Sequence, residues 1–459
     1  MSRNKYILYI TLLLVIILVV AFAVQVKKLE KQVRSSVRII PAESKSRADV
    51  AQNEIDQSAA ASSARPQVLV KFRAGVSADA INQITARFND QVQDEIEAIP
   101  GLRTIHDPDD ADPAAIAAQY QALPEVEYAE ANYEISIDQA GSDADPMRAN
   151  DARIAVPWAL SRINLAQAWA QTKGSSEIVV AVLDCGVEYT HADLVNNIWT
   201  RPANLKPYQD QDLGTIDDEH GYNAVANDGD PTDENGHGTF CAGIIGAECG
   251  NNLGVCGVNW KIQIMPLKFM NAGGFGYVAD AVEAINYAID RKRAGVNLRV
   301  INASWGLAEH SRALEDVIRK AYEAGILLVA ASGNTNTNND TSPRYPAGYS
   351  LRNIITVAAT DRSDALAQFS NYGAKSVQLA APGKEILTTA LGNEYEEHSG
   401  TSMAAPVVAG VAALAVSVHP NLSVDQLRSL LLESVDKLPD LRGKVSTGGR
   451  INAAKAVRP

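Results

Sequence analysis

The chain has 459 residues, 46% of them hydrophobic and 21% charged, which suits two or three domains with sizeable cores. Lysine and arginine number 41 against 54 aspartates and glutamates, a net charge of −13. That acidity argues against non-specific nucleic-acid binding, which draws its affinity from basic groups on phosphates.

The first element is an apolar run from Tyr6 to about Val24 behind a basic head of Arg3 and Lys5. A surface helix is not apolar all round. Two readings stand for residues 1–26. One is a secretory signal, for which "AFA" at Ala21 to Ala23 offers small residues at a cleavage site. The other is a membrane anchor, since about 20 apolar residues span a bilayer. Lys27, Lys28, Lys31 and Arg34 lie just beyond the run and weaken a simple positive-inside argument for export. Residues 27–65, rich in Ala, Ser, Glu and Asp, read as a polar linker.

Residues 66–140 read as a small α+β domain. "QVLVKF" is a strand. Ala80, Ile81, Ile84 and Phe88 have helical spacing, and "DPAAIAAQYQAL" is a second helix with Asp112 as its N-cap. "VEYAEANYEISI" returns as a strand, and the polar stretch from Asp138 to Pro146 marks a boundary. After about Asp151 the texture changes. "EIVVAVLDCG", "QIMPLKFM", "RVINASWG", "ILLVAASGN" and "IITVAATD" are apolar and β-branched, as strands buried on both faces are. Helical segments ending at glycine lie between them, "YVADAVEAINYAIDRKRAG" and "SRALEDVIRKAYEAG". The alternation predicts an α/β domain over residues 145–459, a mostly parallel twisted sheet with helices on both faces. Sites in such sheets form at the carboxyl ends of the strands.

Four residues stand at glycine-flanked apices of this pattern. Asp184 ends a strand before Gly186. His237 sits between two glycines at the start of an apolar helix. Asn334 follows Gly333 at another strand end, and Ser402 opens a helix of small residues, with Pro406 placed within its first turn. Each alone is better read as a cap or a turn residue. Together they are the parts of serine nucleophilic catalysis: an acid to orient a base, a base to take the hydroxyl proton, and donors for an oxyanion. The four cysteines, Cys185, Cys241, Cys249 and Cys256, lack the CxxC pairs of a zinc site. Cys249 and Cys256 either close a small disulfide loop in an exported protein or are buried thiols.

"NGHGTFCAG" and "SGTSMAAPVVAG", with "VLDCG" and "AASGN", resemble the subtilisin-like serine proteases over about Asp145 to Pro459, closest in texture to the thermitase and proteinase K branches. The resemblance implies a serine endopeptidase in which Asp184 orients His237, His237 is general base and acid, and Ser402 is the nucleophile. Asn334 and the Ser402 N–H would form the oxyanion hole. It implies polypeptide substrates lying extended between two rims, one of Ser304, Trp305 and Gly306, the other of Gly274, Phe275 and Gly276. Broad specificity follows from reading backbone. A structural calcium is implied at Asp193, Glu248, Asn251, Leu253 and Val255, with Asp145 as a further ligand, and no redox or nucleotide cofactor. Asp228 and Asp230 offer a weaker second candidate, short of an acid at Ala226. Residues 66–140 resemble an inhibitory propeptide, so a zymogen cut between about Ser136 and Asp145 and acting outside the cytoplasm, secreted or membrane-anchored, is expected. The pattern departs from the family at Phe240, where a second histidine is usual, at Cys185 beside the acid, and at Ser332 near the specificity pocket. Two alternatives remain: a membrane-tethered processing protease with a narrow substrate, and an inactive protease fold used for binding.

Overall fold

The computed structural model describes residues 67–109, 111–137 and 158–458. The apolar N-terminal run, the polar linker, Asp145 and most of the expected cleavage region lie outside the described residues.

The N-terminal domain runs β1 (Val68–Phe72), α1 (Ala78–Phe88), β2 (Gln91–Glu95), β3 (Leu102–His106), α2 (Pro113–Gln121) and β4 (Val126–Ala131). Its strands form an antiparallel sheet in the order β2-β3-β1-β4. Local chemistry sets the helix ends. The Ser77 hydroxyl accepts from the Ala80 N–H, and Asn89 closes α1 in the left-handed region at φ 64°. Asp112 caps α2 ahead of Pro113. Ile81, Ile84, Ile116 and Tyr120 then pack on Val68, Val70, Phe72 and Ile105. The sequence pattern missed β2 and β3, because "QVQDE" carries no apolar alternation. It also read one closing strand where the structure has two. After β4 the chain leaves the sheet at Asn132 and Tyr133 and forms β5 (Glu134–Ser136) elsewhere.

The second part begins with α3 (Trp158–Arg162), α4 (Leu165–Trp169), β6 (Gly174–Asp184), β7 (Tyr208–Asp210), β8 (Gly214–Ile216) and β9 (Tyr222–Asn223). It continues with α5 (His237–Gly246), β10 (Lys261–Lys268), β11 (Phe275–Tyr277), α6 (Val278–Arg293), β12 (Leu298–Ala303), α7 (Arg312–Glu323), β13 (Leu327–Ala331) and β14 (Ile354–Thr360). It closes with β15 (Leu379–Pro382), β16 (Ile386–Ala390), β17 (Glu394–His398), α8 (Thr401–Val418), α9 (Val424–Glu433), β18 (Val435–Lys437), β19 (Gly449–Ile451) and α10 (Ala453–Ala456). The main sheet has the order β18-β19-β15-β14-β13-β12-β6-β10-β9. All its pairings are parallel except that of the edge strand β18.

The apolar runs serve two cores at once. In β6, Val180 and Val182 face α5 and α8, while Val179, Ala181 and Leu183 face α6 and α7. Every residue of α8 from Thr401 to Val416 is buried. Among the described residues it is the one helix long and apolar enough to cross a membrane, and it is a core helix. Pro406 is its sixth residue, not part of the first turn as the sequence suggested. Its missing N–H would have bonded to the Ser402 carbonyl. That carbonyl accepts instead from Ser304 Oγ at 2.8 Å and Cys241 Sγ at 3.6 Å.

Candidate active site

The parallel sheet brings the four apex residues to one edge. Asp184 is the last residue of β6 and fully buried. His237 opens α5, whose approach is close: a Cβ at Gly238 would stand 3.2 Å from Asp184 Cβ. His237 Nδ1 lies 2.8 Å from Asp184 Oδ1 and 3.0 Å from Oδ2. The Cys185 N–H donates to Asp184 Oδ1 at 2.9 Å, and the Cys241 thiol lies 4.0 Å from Oδ2. Burial and the Asp184 charge push both thiols well up, so they stay protonated. Burial opposes the His237 imidazolium, but the charge and hydrogen bond of Asp184, with the charge of Asp233, outweigh it and raise its pKa. His237 Nε2 is buried with no hydrogen-bond partner. A ring with Nδ1–H on a carboxylate and a bare Nε2 can take a proton at Nε2.

Asp233 is a residue the sequence reading passed over. Its carboxylate accepts from the N–H groups of Asn235, Gly236 and Thr239 and from Thr239 Oγ1, at 2.7 to 2.9 Å. It therefore anchors the first turn of α5 beneath His237. An acid just ahead of a helix start was the available signal.

Ser402 is the second residue of α8. Gly400 keeps the space before it open: a Cβ there would stand 2.7 Å from Ser402 Oγ, 3.4 Å from Asn334 Nδ2 and 3.6 Å from the Ser402 nitrogen. The hydroxyl and two N–H donors thus border one small space. Thr401, which the sequence places at the helix entrance without a role, aims the amide. Its N–H and Oγ1 donate to Asn334 Oδ1 at 2.8 and 2.9 Å, which turns Nδ2 toward that space. The N-terminus of α8 adds a favourable dipole for an anion there. Phe240 stacks on His398 with ring centroids 3.6 Å apart, beside His237 and not in its hydrogen bonds. Ser332 Oγ is committed to the Asn371 carbonyl at 3.1 Å.

The two rims hold part of the chain itself. β5 pairs antiparallel with β11, Ser136 opposite Phe275, Ile135 opposite Gly276 and Glu134 opposite Tyr277. Ser136 also bridges Gly306 on the other side, and the Ile137 N–H donates to the Gly274 carbonyl. Ser304 and Trp305 sit in the same strand end as Gly306, but their side chains point inward: Ser304 to the Ser402 carbonyl, Trp305 Nε1 to the Leu183 carbonyl. Phe275 is exposed. The N-terminal domain is also docked on helix ends. Glu130 accepts from Ser311 Oγ and the Arg312 and Ala313 N–H groups at the start of α7, and Asn132 Oδ1 from the Ala279 N–H at the start of α6.

The loop expected to hold calcium is closed by a Cys249–Cys256 disulfide. Asp193, fully buried, accepts from Asn251 Nδ2 at 2.7 Å, from the Val255 N–H at 3.1 Å and from the Tyr395 hydroxyl. Burial raises its pKa. Asn251 Oδ1 accepts from the Leu253 N–H, and Glu248 Oε2 from Asn196. Asp193 and Asn251 bring hard donors to one loop, but Asn251 presents Nδ2 to Asp193, so holding a cation there requires the amide to turn. Asp230 is instead bound by Thr232 and Tyr189.

A family model described as the Subtilase family matches residues 175–448, and one described as the Fervidolysin N-terminal prodomain matches residues 50–132. A thermophilic serine proteinase of Bacillus sp. (strain AK1) is 39% identical over 290 residues, 63% of this chain and 64% of that protein. Subtilisin-like protease 2 of Plasmodium falciparum (isolate 3D7) is 35% identical over 309 residues, 65% of this chain and 22% of its own length. Subtilisin-like protease 1 of the same organism is 33% identical over 319 residues, 65% of this chain and 46% of its own length. The matched region thus spans less than two thirds of each of these relatives. With its parallel sheet, its buried Asp-His pair and a serine opening a core helix, the chain belongs to the subtilase family.

Proposed function

We propose that the protein is a serine endopeptidase made as a zymogen, with residues 67–137 as its inhibitory propeptide. The observation that carries this is β5 lying between the two rims, on a fold that pairs His237 with Asp184 and sets Ser402 Oγ and Asn334 Nδ2 around one space. Ser402 Oγ attacks the scissile carbonyl while His237 Nε2 takes its proton. Asp184 holds the Nδ1–H tautomer and stabilises the imidazolium. Asn334 Nδ2 and the Ser402 N–H receive the oxyanion. His237 returns the proton to the leaving amine, and water then hydrolyses the acyl-enzyme by the reverse roles. A phosphonylating serine probe tests the reading: it labels Ser402 in protein freed of its propeptide, and Ser402 left unlabelled there would favour the inactive binding fold.

The propeptide is cut between about Ser136 and Asp145 by the chain's own site. Ser402→Ala protein accumulates uncut; a cut Ser402→Ala chain in isolation refutes self-processing. Pairing through backbone at both rims supports broad specificity, and one dominant motif in a digest of a denatured proteome would favour the narrow processing protease. The Cys249–Cys256 bridge supports a place outside the cytoplasm, secreted or held by the apolar N-terminal run. Calcium would be held by Asp193 and Asn251 with carbonyls of Glu248, Leu253 and Val255, and would stabilise the native loop by binding it alone. A melting curve unchanged by chelator in a Ca-loaded sample removes that assignment.

A further inference from the structure

A second group of buried acids lies far from the cleft, between the propeptide and the enzyme. Asp94 comes from β2 and Glu97 from the loop after it. Asp210 ends β7 and Glu283 lies on α6. Carboxylate oxygens of Glu97, Asp210 and Glu283 lie within 4.8 Å of one another. Asp94 is 9% exposed, and its Oδ1 is buried without a hydrogen-bond partner. Asp94 stands outside that 4.8 Å triplet as its buried neighbour, with Asp210 the strongest charge acting on it.

The donors that reach these acids are neutral. The Tyr208 hydroxyl reaches Glu283 at 3.2 Å and Asp210 at 3.4 Å, Asn286 Nδ2 and the Gln211 N–H reach Glu97 at 2.6 and 3.1 Å, and the Asp212 and Leu213 N–H groups reach Asp210 Oδ1 at 2.8 and 2.7 Å. Basic side chains nearby are committed elsewhere, Arg103 to Glu95 and Arg291 to Asp218 and Asp290. Buried charges are paired, neutralised or bound to metal. Burial and mutual repulsion raise the pKa of Asp94 and Glu283, so protons are one way to neutralise the group. One divalent ion offsets two charges at once. Three oxygens so spaced match the shell of a calcium-sized ion, roughly 2.4 Å from each, and an all-carboxylate set is hard.

We propose that Glu97, Asp210 and Glu283, with the unpaired Oδ1 of Asp94 beside them, form a calcium site that bridges the propeptide and the enzyme. Glu97 lies before the expected cut, and Asp210 and Glu283 after it. The ion therefore latches the propeptide after cleavage, and its withdrawal loosens the complex. The latch rests on the zymogen reading; the binding itself does not.

The test uses the full chain with Ser402→Ala, stripped with chelator and titrated with calcium chloride by calorimetry. The parent binds one more ion than its Glu97→Gln and Glu283→Gln forms. Terbium in place of calcium is sensitised by Tyr208 in the parent, and this emission falls in both variants. Glu97 is half-buried, so its variant tests binding with little burden on folding. Equal ion counts in parent and variants overturn the site. So does a melting temperature that pH shifts more in the parent than in the variants while calcium shifts all three alike, which means the cluster holds protons. These outcomes are independent of whether Ser402 is a nucleophile.

Discussion

Two groups of buried acids in this molecule are built on opposite terms. Around His237, the carboxylate of Asp184 meets an imidazole, an N–H and a thiol, and Asp233 meets four donors. Between the N-terminal and subtilase domains, Glu97, Asp210 and Glu283 crowd within 4.8 Å with only neutral donors on them, and Asp94 Oδ1 has no donor. The first group is complete within the fold, so its charges can be used for chemistry. The second is incomplete within the fold, so its stability depends on what solution supplies. Burial raises the pKa of Asp233 in the first group and of Asp94 and Glu283 in the second; the partners differ.

The largest expected effect comes from removing a matched charge. Asp184→Asn lowers kcat by about 10⁴-fold through the wrong tautomer of His237. It also moves the pH profile. In the parent, kcat/KM rises as His237 loses its proton, with a midpoint above its ordinary 6.5. The variant keeps the burial without the carboxylate, so its acid limb falls below 6.5. The same shift has a sign in stability: the Asp184–imidazolium pair stabilises the fold below the unfolded histidine pKa, and this is lost as pH rises through the raised folded value. A pH profile identical in both proteins would mean His237 is not the titrating base.

Asn334→Ala comes next, with kcat down about 10²- to 10³-fold and KM little changed, as for loss of one oxyanion donor. Asp233→Ala follows. It leaves the Gly236 and Thr239 N–H groups unpaired in a buried turn and lowers the stability of Ser402→Ala protein by about 2–4 kcal/mol in urea unfolding. The smallest effect tests the comparison most directly. Asp94→Asn in chelator relieves repulsion and raises the melting temperature of Ser402→Ala protein by roughly 2 °C, about 1 kcal/mol. In saturating calcium the same change lowers it. A loss under both conditions would place Asp94 among the matched acids.

Much of the subtilase domain was legible in short strings. "VLDCG", "GHG", "SGN" and "GTS" each carry a glycine apex at a strand or helix end, and a parallel sheet must bring such ends to one edge. The partners that finish the site were not legible. Thr401 aims the Asn334 amide from 67 positions away, and Ser304 satisfies the Ser402 carbonyl that Pro406 leaves open. The Pro406 position itself was misjudged, because the sequence does not say that α8 starts at Thr401. The closing strand of the N-terminal domain was read as one piece. Its break at Asn132 exists because the start of α6 offers N–H groups that the domain alone does not see.

By itself, the sequence determined the fold class, the family and the chemical parts at Asp184, His237, Asn334 and Ser402. Those rest on local pattern, and local pattern reports backbone conformation. Only the tertiary structure decided which acids lose their water together. Asp94 and Glu283 are 189 positions apart, and each reads alone as a solvated surface charge. Whether an acid is matched depends on which surfaces meet, since the cost of burying charge is set by its neighbours in space.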